Sequence, residues 1–366
     1  MLEKDFLISV VLTTYNCESR IKRTVESILN QTFDNIELLI IDDHSTDTTA
    51  SICQTIQSAH PRKKISLFIN SENSGPAFSR NIGIKKSSGD YIIFLDDDDI
   101  YSPLMLELAY KKTIQNKADI TVIGSQSFNA EKMETYILDN IKIDANLLQN
   151  VFSYTDIKTN FFESFTWWAW DKLISRELII KNNLFFQNIR SSEDLSFTCK
   201  VFFNAHRICI EPQILITHIL NRPNSVSSSR KSSYACILEA LSDLKIYMQN
   251  KGIYNHLKKD FFYYCVNFIY WHQATIPQPE NKLLCQKTLH FFKDTNINID
   301  NFSENEIKQK YLYIYMIAGE KEIIDIINEI NTEDAHYSAS ALLERTSFLN
   351  MLRAIVQFIR NNPQQC

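Results

Sequence analysis

Residues Tyr91 to Pro103 read YIIFLDDDDIYSP. The first five are apolar and rich in strand formers, the pattern of a strand buried on both faces. They run straight into four carboxylates, Asp96, Asp97, Asp98 and Asp99. Like charges this close repel one another, and a run of this kind is ordinarily a solvated loop. Here it follows a core strand directly, so its meaning depends on the surrounding elements.

Working outward, upstream residues alternate between short β-branched runs and helical patterns. Strands are expected at Ile8 to Leu12, Ile36 to Ile41 and Ile65 to Ile69. Between them Ile21, Val25, Ile28 and Leu29 recur at helical spacing, Thr48 to Ala59 turns Ile52, Cys53 and Ile56 inward, and Pro76 to Lys86 reads as a third helix. Downstream, Pro103 to Gln115 is helical and Ile120 to Ile123 is a fifth strand. This alternation predicts an α/β fold with a mostly parallel sheet flanked by helices. In such sheets ligands collect outside the carboxyl ends of the strands. Polar groups follow each expected strand: Thr13-Thr14-Tyr15-Asn16, Asp42-Asp43-His44-Ser45, Asn70-Ser71-Glu72-Asn73 and the aspartate run. Three of the six glycines, Gly75, Gly83 and Gly89, lie in one short stretch, where tight turns or close backbone approach need them.

With 45% hydrophobic residues among 366, the chain can build a large core. A net charge of -5 and a pI of about 5.9 supply no basic field, which argues against nucleic acid as a partner. The eight cysteines form no CxxC pair, so reduced thiols in the cytoplasm are expected. The amino terminus reads as a first strand and lacks the features of a signal peptide. From about Ser227 long helical patterns replace the alternation, giving expected domains at 1–226 (catalytic) and 227–366 (helical), with SVSSSRKSS, residues 225–233, as linker. The segment Ala339 to Arg360 combines an apolar stripe with Arg345, Arg353 and Arg360. That composition suits either packing within the helical domain or peripheral contact with the inner face of the cell membrane.

ISVVLTTYN, NQTFDNIELLIIDDHSTD and NSGPAFSRNIGIKKSSGDYIIFLDDDD, followed by WDKLISRELI and SSEDLSF, resemble in order the signatures of the family 2 glycosyltransferases. The resemblance implies a GT-A fold, Rossmann-like with a mixed, mostly parallel sheet, and an inverting transferase that uses a nucleotide-diphosphate sugar, commonly a UDP sugar, with Mn²⁺ or Mg²⁺. It places the metal motif on Asp96-Asp97-Asp98, with Asp96 and Asp98 toward the metal and Asp97 near the ribose and sugar. It puts Thr13, Tyr15 and Asp43 at the nucleoside, Asp43 accepting the uracil N3–H. Many members carry a Tyr-Arg pair where this chain has Ile219 and Leu220, with Arg222 a partial substitute.

The chemistry supplies its own reasons for these residue types. A departing diphosphate carries charge that a hard cation neutralises, and hard cations prefer carboxylate oxygens. Inversion needs a base on the opposite face, and Asp194 of SSEDLSF is that candidate, with Glu193 its neighbour. Arg80 could face the diphosphate or make a surface ion pair. One of Trp167, Trp168 and Trp170, Trp170 foremost, could present a ring to an acceptor sugar, and His218 is either structural or part of the metal shell. The expected partners are a nucleotide-sugar donor and a glycan or glycolipid acceptor such as lipopolysaccharide or capsule, with homo-oligomer formation left open. A catalytically silent glycan- or nucleotide-sugar-binding subunit is the rival, and the intact set Asp96, Asp98 and Asp194 favours catalysis over it.

Overall fold

The seven residues Ile8–Thr14 form β1, and all but one of their side chains are buried, as befits a central strand covered on both faces. The computed structural model describes residues 6–129, 132–138, 140–220 and 231–319. After β1 come α1 (Ile21–Leu29), β2 (Ile36–Asp42), α2 (Thr49–Ala59), β3 (Lys64–Ile69), α3 (Pro76–Lys86) and β4 (Tyr91–Asp96). Next are β5 (Ile100–Tyr101), α4 (Met105–Asn116), β6 (Ile120–Asn129), β7 (Glu134–Ile137), α5 (Ala145–Gln149), β8 (Lys172–Ser175), α6 (Arg176–Lys181), α7 (Glu193–Asn204) and β9 (Ile208–Leu220). Four helices follow: α8 (Cys236–Asn250), α9 (Tyr254–Ala274), α10 (Glu280–Thr295) and α11 (Asn305–Ala318).

The strands form one sheet in the order β3-β2-β1-β4-β8-β6-β9-β5, with β7 on β6. Neighbours among β1 to β4 run parallel, as do β6 and β9, while β8 is antiparallel to both β4 and β6. The expected mixed, mostly parallel sheet is therefore present. Periodicity located β1 to β4 and their helices within two residues, but β5, β7, β8 and β9 did not register as strands. β5, β8 and β9 pair with residues distant in sequence, which local pattern does not report, and β7 folds back on β6 as a hairpin.

The position of β8 prepares the site. It pairs with Tyr91 and Ile92 at the start of β4 and with Ile120 to Val122 at the start of β6. Beyond that point the backbone leading into β8 takes over, Ile123 donating its N–H to the Asp171 carbonyl at 2.8 Å. A loop of Thr166 to Asp171 thus lies where strand order is interrupted, next to the carboxyl end of β4, the kind of switch point at which α/β sheets bind ligands.

Helix α3 packs tightly on the sheet because of Gly83: a Cβ there would sit 2.3 Å from Val11 Cγ1 and 2.9 Å from Cγ2. Gly83→Ala is expected to destabilise the fold by about 1–3 kcal/mol, the usual cost of overpacking. Urea unfolding checks this, and adding Val11→Ala should recover part of the loss; an unchanged midpoint for the single variant refutes the close approach.

The chain divides into two compact units, the first comprising 1–228 with 242–247 and the second 229–241 with 248–366. In the first, the core holds Val10, Leu12, Ile93 and Leu95 of the central strands with Ile21, Val25 and Ile28 of α1. In the second, α9, α10 and α11 bury Phe261, Phe262 and Phe292, with Tyr311 stacked on Phe292 at 5.2 Å. The segment Ala339 to Arg360, most of the expected linker, and Arg222 lie outside the described residues. Among the described residues, no helix is long and apolar enough to cross a membrane.

Candidate active site

Three of the four consecutive aspartates take different partners, which eases their mutual repulsion. Asp96 Oδ1 accepts from Arg80 Nη2 at 2.9 Å. Asp97 Oδ1 is held by Arg20 through Nε at 3.0 Å and Nη2 at 2.9 Å, while its main-chain carbonyl accepts from Thr24 Oγ1 at 2.8 Å. Asp99 Oδ1 lies 2.8 Å from His218 Nδ1 and accepts the Ile219 N–H at 3.2 Å. Burial pushes the Asp97 and Asp99 carboxyls above the usual range, against the pull of Arg20 and His218 respectively. Burial would lower the His218 pKa, but the hydrogen bond and charge of Asp99 outweigh it and raise the value.

One cluster on this run is suited to a hard cation. Ligand atoms of Asp98, Asp99 and His218 all lie within 4.8 Å of one another. Asp99 Oδ2 is buried and has no hydrogen-bond partner among the described residues, so it is desolvated without compensation unless a cation joins it. Two carboxylates and an imidazole are a donor set that Mn²⁺ or Mg²⁺ accepts. The residues therefore fit a divalent ion, with Asp99 where sequence reasoning placed Asp96. The reason is geometric: Asp96 is drawn to Arg80, whereas Asp99 meets β9.

Arg80 is the main finding of the site. It leaves α3 almost fully buried, with Nη2 on Asp96 and Nη1 on both Glu193 Oε1 at 2.7 Å and Asp194 Oδ1 at 2.8 Å. Its guanidinium also lies 5.4 Å from the centroid of the Phe186 ring. The expected surface ion pair gives way to a buried one: one cation joins the end of β4 to the start of α7. The other oxygen of Asp194, Oδ2, accepts the Ala169 N–H at 3.2 Å, so both oxygens are held. Its side chain keeps 15% exposure, an open face for a proton donor. Burial, opposed by Arg80 and reinforced by Glu193 and Asp96, raises the Asp194 pKa to about 7.

Ala169 is itself fixed by a buried clamp. Lys172 Nζ donates to the Thr166 carbonyl at 3.0 Å, the Trp168 carbonyl at 2.8 Å and Asp171 Oδ1 at 2.5 Å. In the same loop Trp168 stacks on Trp170 at 4.9 Å, and Trp170 on His218 at 5.3 Å. Trp170 is 2% exposed and cannot offer a face to a sugar; the half-buried ring of the stack is Trp168. Glu193, the other residue placed toward the acceptor, is buried against Arg80.

The remaining residues gather at the ends of β1 and β2. Thr13 is half-buried and Tyr15 is 44% exposed, its N–H pointing to Asp97 Oδ2 at 3.4 Å. Asp43 is occupied by the protein: Asn70 Nδ2, the Ser74 N–H and Ser79 Oγ donate to Oδ1, and the Gly75 N–H donates to Oδ2 at 2.7 Å. Four donors match the acceptor capacity of a carboxylate. Asp43 thus pins the turn into α3, where Gly75 takes φ of 91°. The structure brings together Asp96, Arg80, Glu193 and Asp194 in one ion cluster, Asp97 with Tyr15 in another, and Asp98 with His218 in a third. The threefold task of Arg80 left no trace in its neighbours in sequence, because its partners come from residues 16 and 113 or more positions away.

The mixed, mostly parallel sheet flanked by helices and followed by a helical region is the GT-A fold. The Glycosyl transferase family 2 profile matches residues 9–181. Over that stretch, just under half of its length, the chain is similar to the family 2 glycosyltransferases. It is 29% identical over 278 residues to the cholesterol galactosyltransferase of Borreliella burgdorferi, covering 72% of this chain and 75% of that one. It is 26% identical over 255 residues to glycosyltransferase GlyA of Streptococcus pneumoniae, covering 68% of this chain but only 35% of GlyA. Among solved structures, S. aureus TarS 1–349 in complex with UDP-GlcNAc shares the fold, with a TM-score of 0.54, 18% identity, and coverage of 83% of this chain and 90% of that one.

Proposed function

We propose that the protein is an inverting glycosyltransferase that moves a sugar from a nucleotide diphosphate, a UDP sugar, to a hydroxyl of a growing surface glycan. Asp194 accepts the proton of the acceptor hydroxyl as its oxygen attacks the anomeric carbon. The bond from that carbon to the diphosphate breaks, its electron pair leaving with the nucleotide. The observation that carries this reading is the single guanidinium of Arg80 spanning the end of the acid strand and the Glu193–Asp194 pair, which puts a base of raised pKa beside the carboxylate run. Asp98, Asp99 and His218 would hold a divalent ion, which when bound supplies neutralisation of the diphosphate charge. Thr13 and Tyr15 flank the nucleoside, and Asp43 acts on it through the turn it anchors. Arg20 keeps Asp97 in place for the ribose and sugar. TarS was crystallised with UDP-GlcNAc, in line with a UDP donor here.

The decisive experiment measures hydrolysis of UDP-glucose, UDP-galactose, UDP-GlcNAc, GDP-mannose and dTDP-rhamnose with and without Mn²⁺. Cleavage of one UDP sugar supports the reading, and inertness toward all of them overturns it. Asp98→Asn is expected to abolish metal-dependent binding of UDP, because it removes a charge from the cation cluster at constant volume. Calorimetry with UDP and Mn²⁺ reads this directly, and unchanged affinity refutes the assignment. We also place the protein in the cytoplasm, with acceptor glycans met at the inner face of the membrane; flotation of the full chain on anionic liposomes supports contact, and its failure to float refutes it.

A further inference from the structure

The register of the sheet carries the site beyond the reaction centre. Ser127 of β6 pairs with His218 of β9 on one side and with Tyr136 of β7 on the other. Paired residues in adjacent strands face the same side, so Tyr136, Ser127 and His218 form one row on one face. Two strand spacings of about 4.8 Å set Tyr136 roughly 10 Å from His218. The same face carries Glu134, two residues before Tyr136, and its carboxylate accepts the Tyr136 hydroxyl. All four residues of β7 are exposed, Tyr136 at 42%. His218 in turn bears the Trp170–Trp168 stack. Ser127, 2% exposed, is the covered middle of this row, and an exposed phenol and carboxylate on one side of it and a half-exposed indole on the other flank a strip that begins at the candidate cation cluster.

We propose that this strip is a subsite for the acceptor glycan, holding a sugar residue beyond the one that receives the transfer. The inference rests on the glycosyltransferase reading above. A pyranose ring offers an apolar face of C–H groups with hydroxyls at its rim. The Tyr136 ring covers the first, and the Glu134 carboxylate accepts from the second. A growing chain must extend away from its point of attachment, and this row leads from the candidate cation cluster toward β7 at the edge of the described sheet. The opposite face of the hairpin has a different character: Ile137, 78% exposed, shares its row with Gln126, Thr217 and Ile100.

The test is saturation-transfer NMR on the full chain with UDP, Mn²⁺ and a mixture of lactose, cellobiose and N,N′-diacetylchitobiose. Ring protons of at least one disaccharide should take saturation from the wild-type protein. Tyr136→Ala should abolish that transfer, Tyr136→Phe should retain most of it, and Ile137→Ser, on the other face, should leave it unchanged. Equal transfer to wild type and Tyr136→Ala, matching losses in Tyr136→Ala and Ile137→Ser, or no transfer from wild type overturns the proposal. UDP protons in the same spectra separate the two readings. Saturated UDP beside silent disaccharides sinks the subsite alone, whereas silent UDP sinks the donor site on which it rests.

Discussion

Asp194→Asn is expected to cut turnover by about 10²–10⁴-fold, the usual scale for losing a general base, while calorimetry shows UDP affinity unchanged. The amide preserves the volume and its one oxygen still accepts from Arg80, so the donor site keeps its shape, while the Ala169 N–H, which donates to the other carboxylate oxygen, loses its acceptor. Beyond that one bond, what is lost is the capacity to take a proton. Because the wild-type pKa is raised to about 7, the rate of sugar transfer should rise with pH and level off above about 7, where the base is ionised. The sign for stability is the opposite. Between the unfolded value of about 3.9 and the folded value, the native state binds the extra proton, so the contribution of Asp194 is lost as pH rises through about 7. The stability of the wild type should accordingly fall relative to Asp194→Asn across that window. A variant with near-normal turnover removes Asp194 from the role of base, and one that loses UDP binding moves it into the donor site.

Arg80→Met should have the largest effect on stability, a loss of about 3–5 kcal/mol, because removing one partner of a buried ion cluster leaves the others uncompensated. Three carboxylates, Asp96, Glu193 and Asp194, depend on this one buried guanidinium. Urea unfolding of wild type and variant as a function of pH tests it. The deficit should be greatest at neutral pH and shrink as acid protonates the stranded carboxylates. Arg80→Lys should recover only part, since a single ammonium cannot reproduce the planar fork that reaches Asp96 with one nitrogen and the acidic pair with the other. A deficit below about 1 kcal/mol, or one independent of pH, shows that the cluster is solvated and that Arg80 is free to serve another purpose.

Much of this architecture could be read without coordinates. The first four strands and three helices follow from hydrophobic period alone, since each is a continuous segment whose inward face repeats at two or 3.6 residues. The acidic run and the acidic pair Glu193–Asp194 were equally legible as chemistry, because a carboxylate run directly after a core strand suits a hard cation and an acidic pair suits proton transfer. The order of polar segments after each strand then followed from the parallel alternation.

What lay beyond the sequence was the pairing of charge with charge. Asp96, Asp97, Asp98 and Asp99 are adjacent and chemically identical, so nothing local assigns one to Arg80, the next to Arg20 and the last to His218. Those assignments arise because β8 lies antiparallel between β4 and β6, and α3 and β9 deliver their cations from different sides. The Trp segment shows the same division. Three tryptophans within four positions declared an aromatic surface, but only packing against His218 decided that Trp170 is covered and Trp168 is left half-exposed. Periodicity and residue type determined the strands, the helices and the kind of chemistry, because these are properties of contiguous chain. The partners were decided by tertiary structure, because burial and ion pairing depend on which distant residues the sheet order brings within a few ångströms.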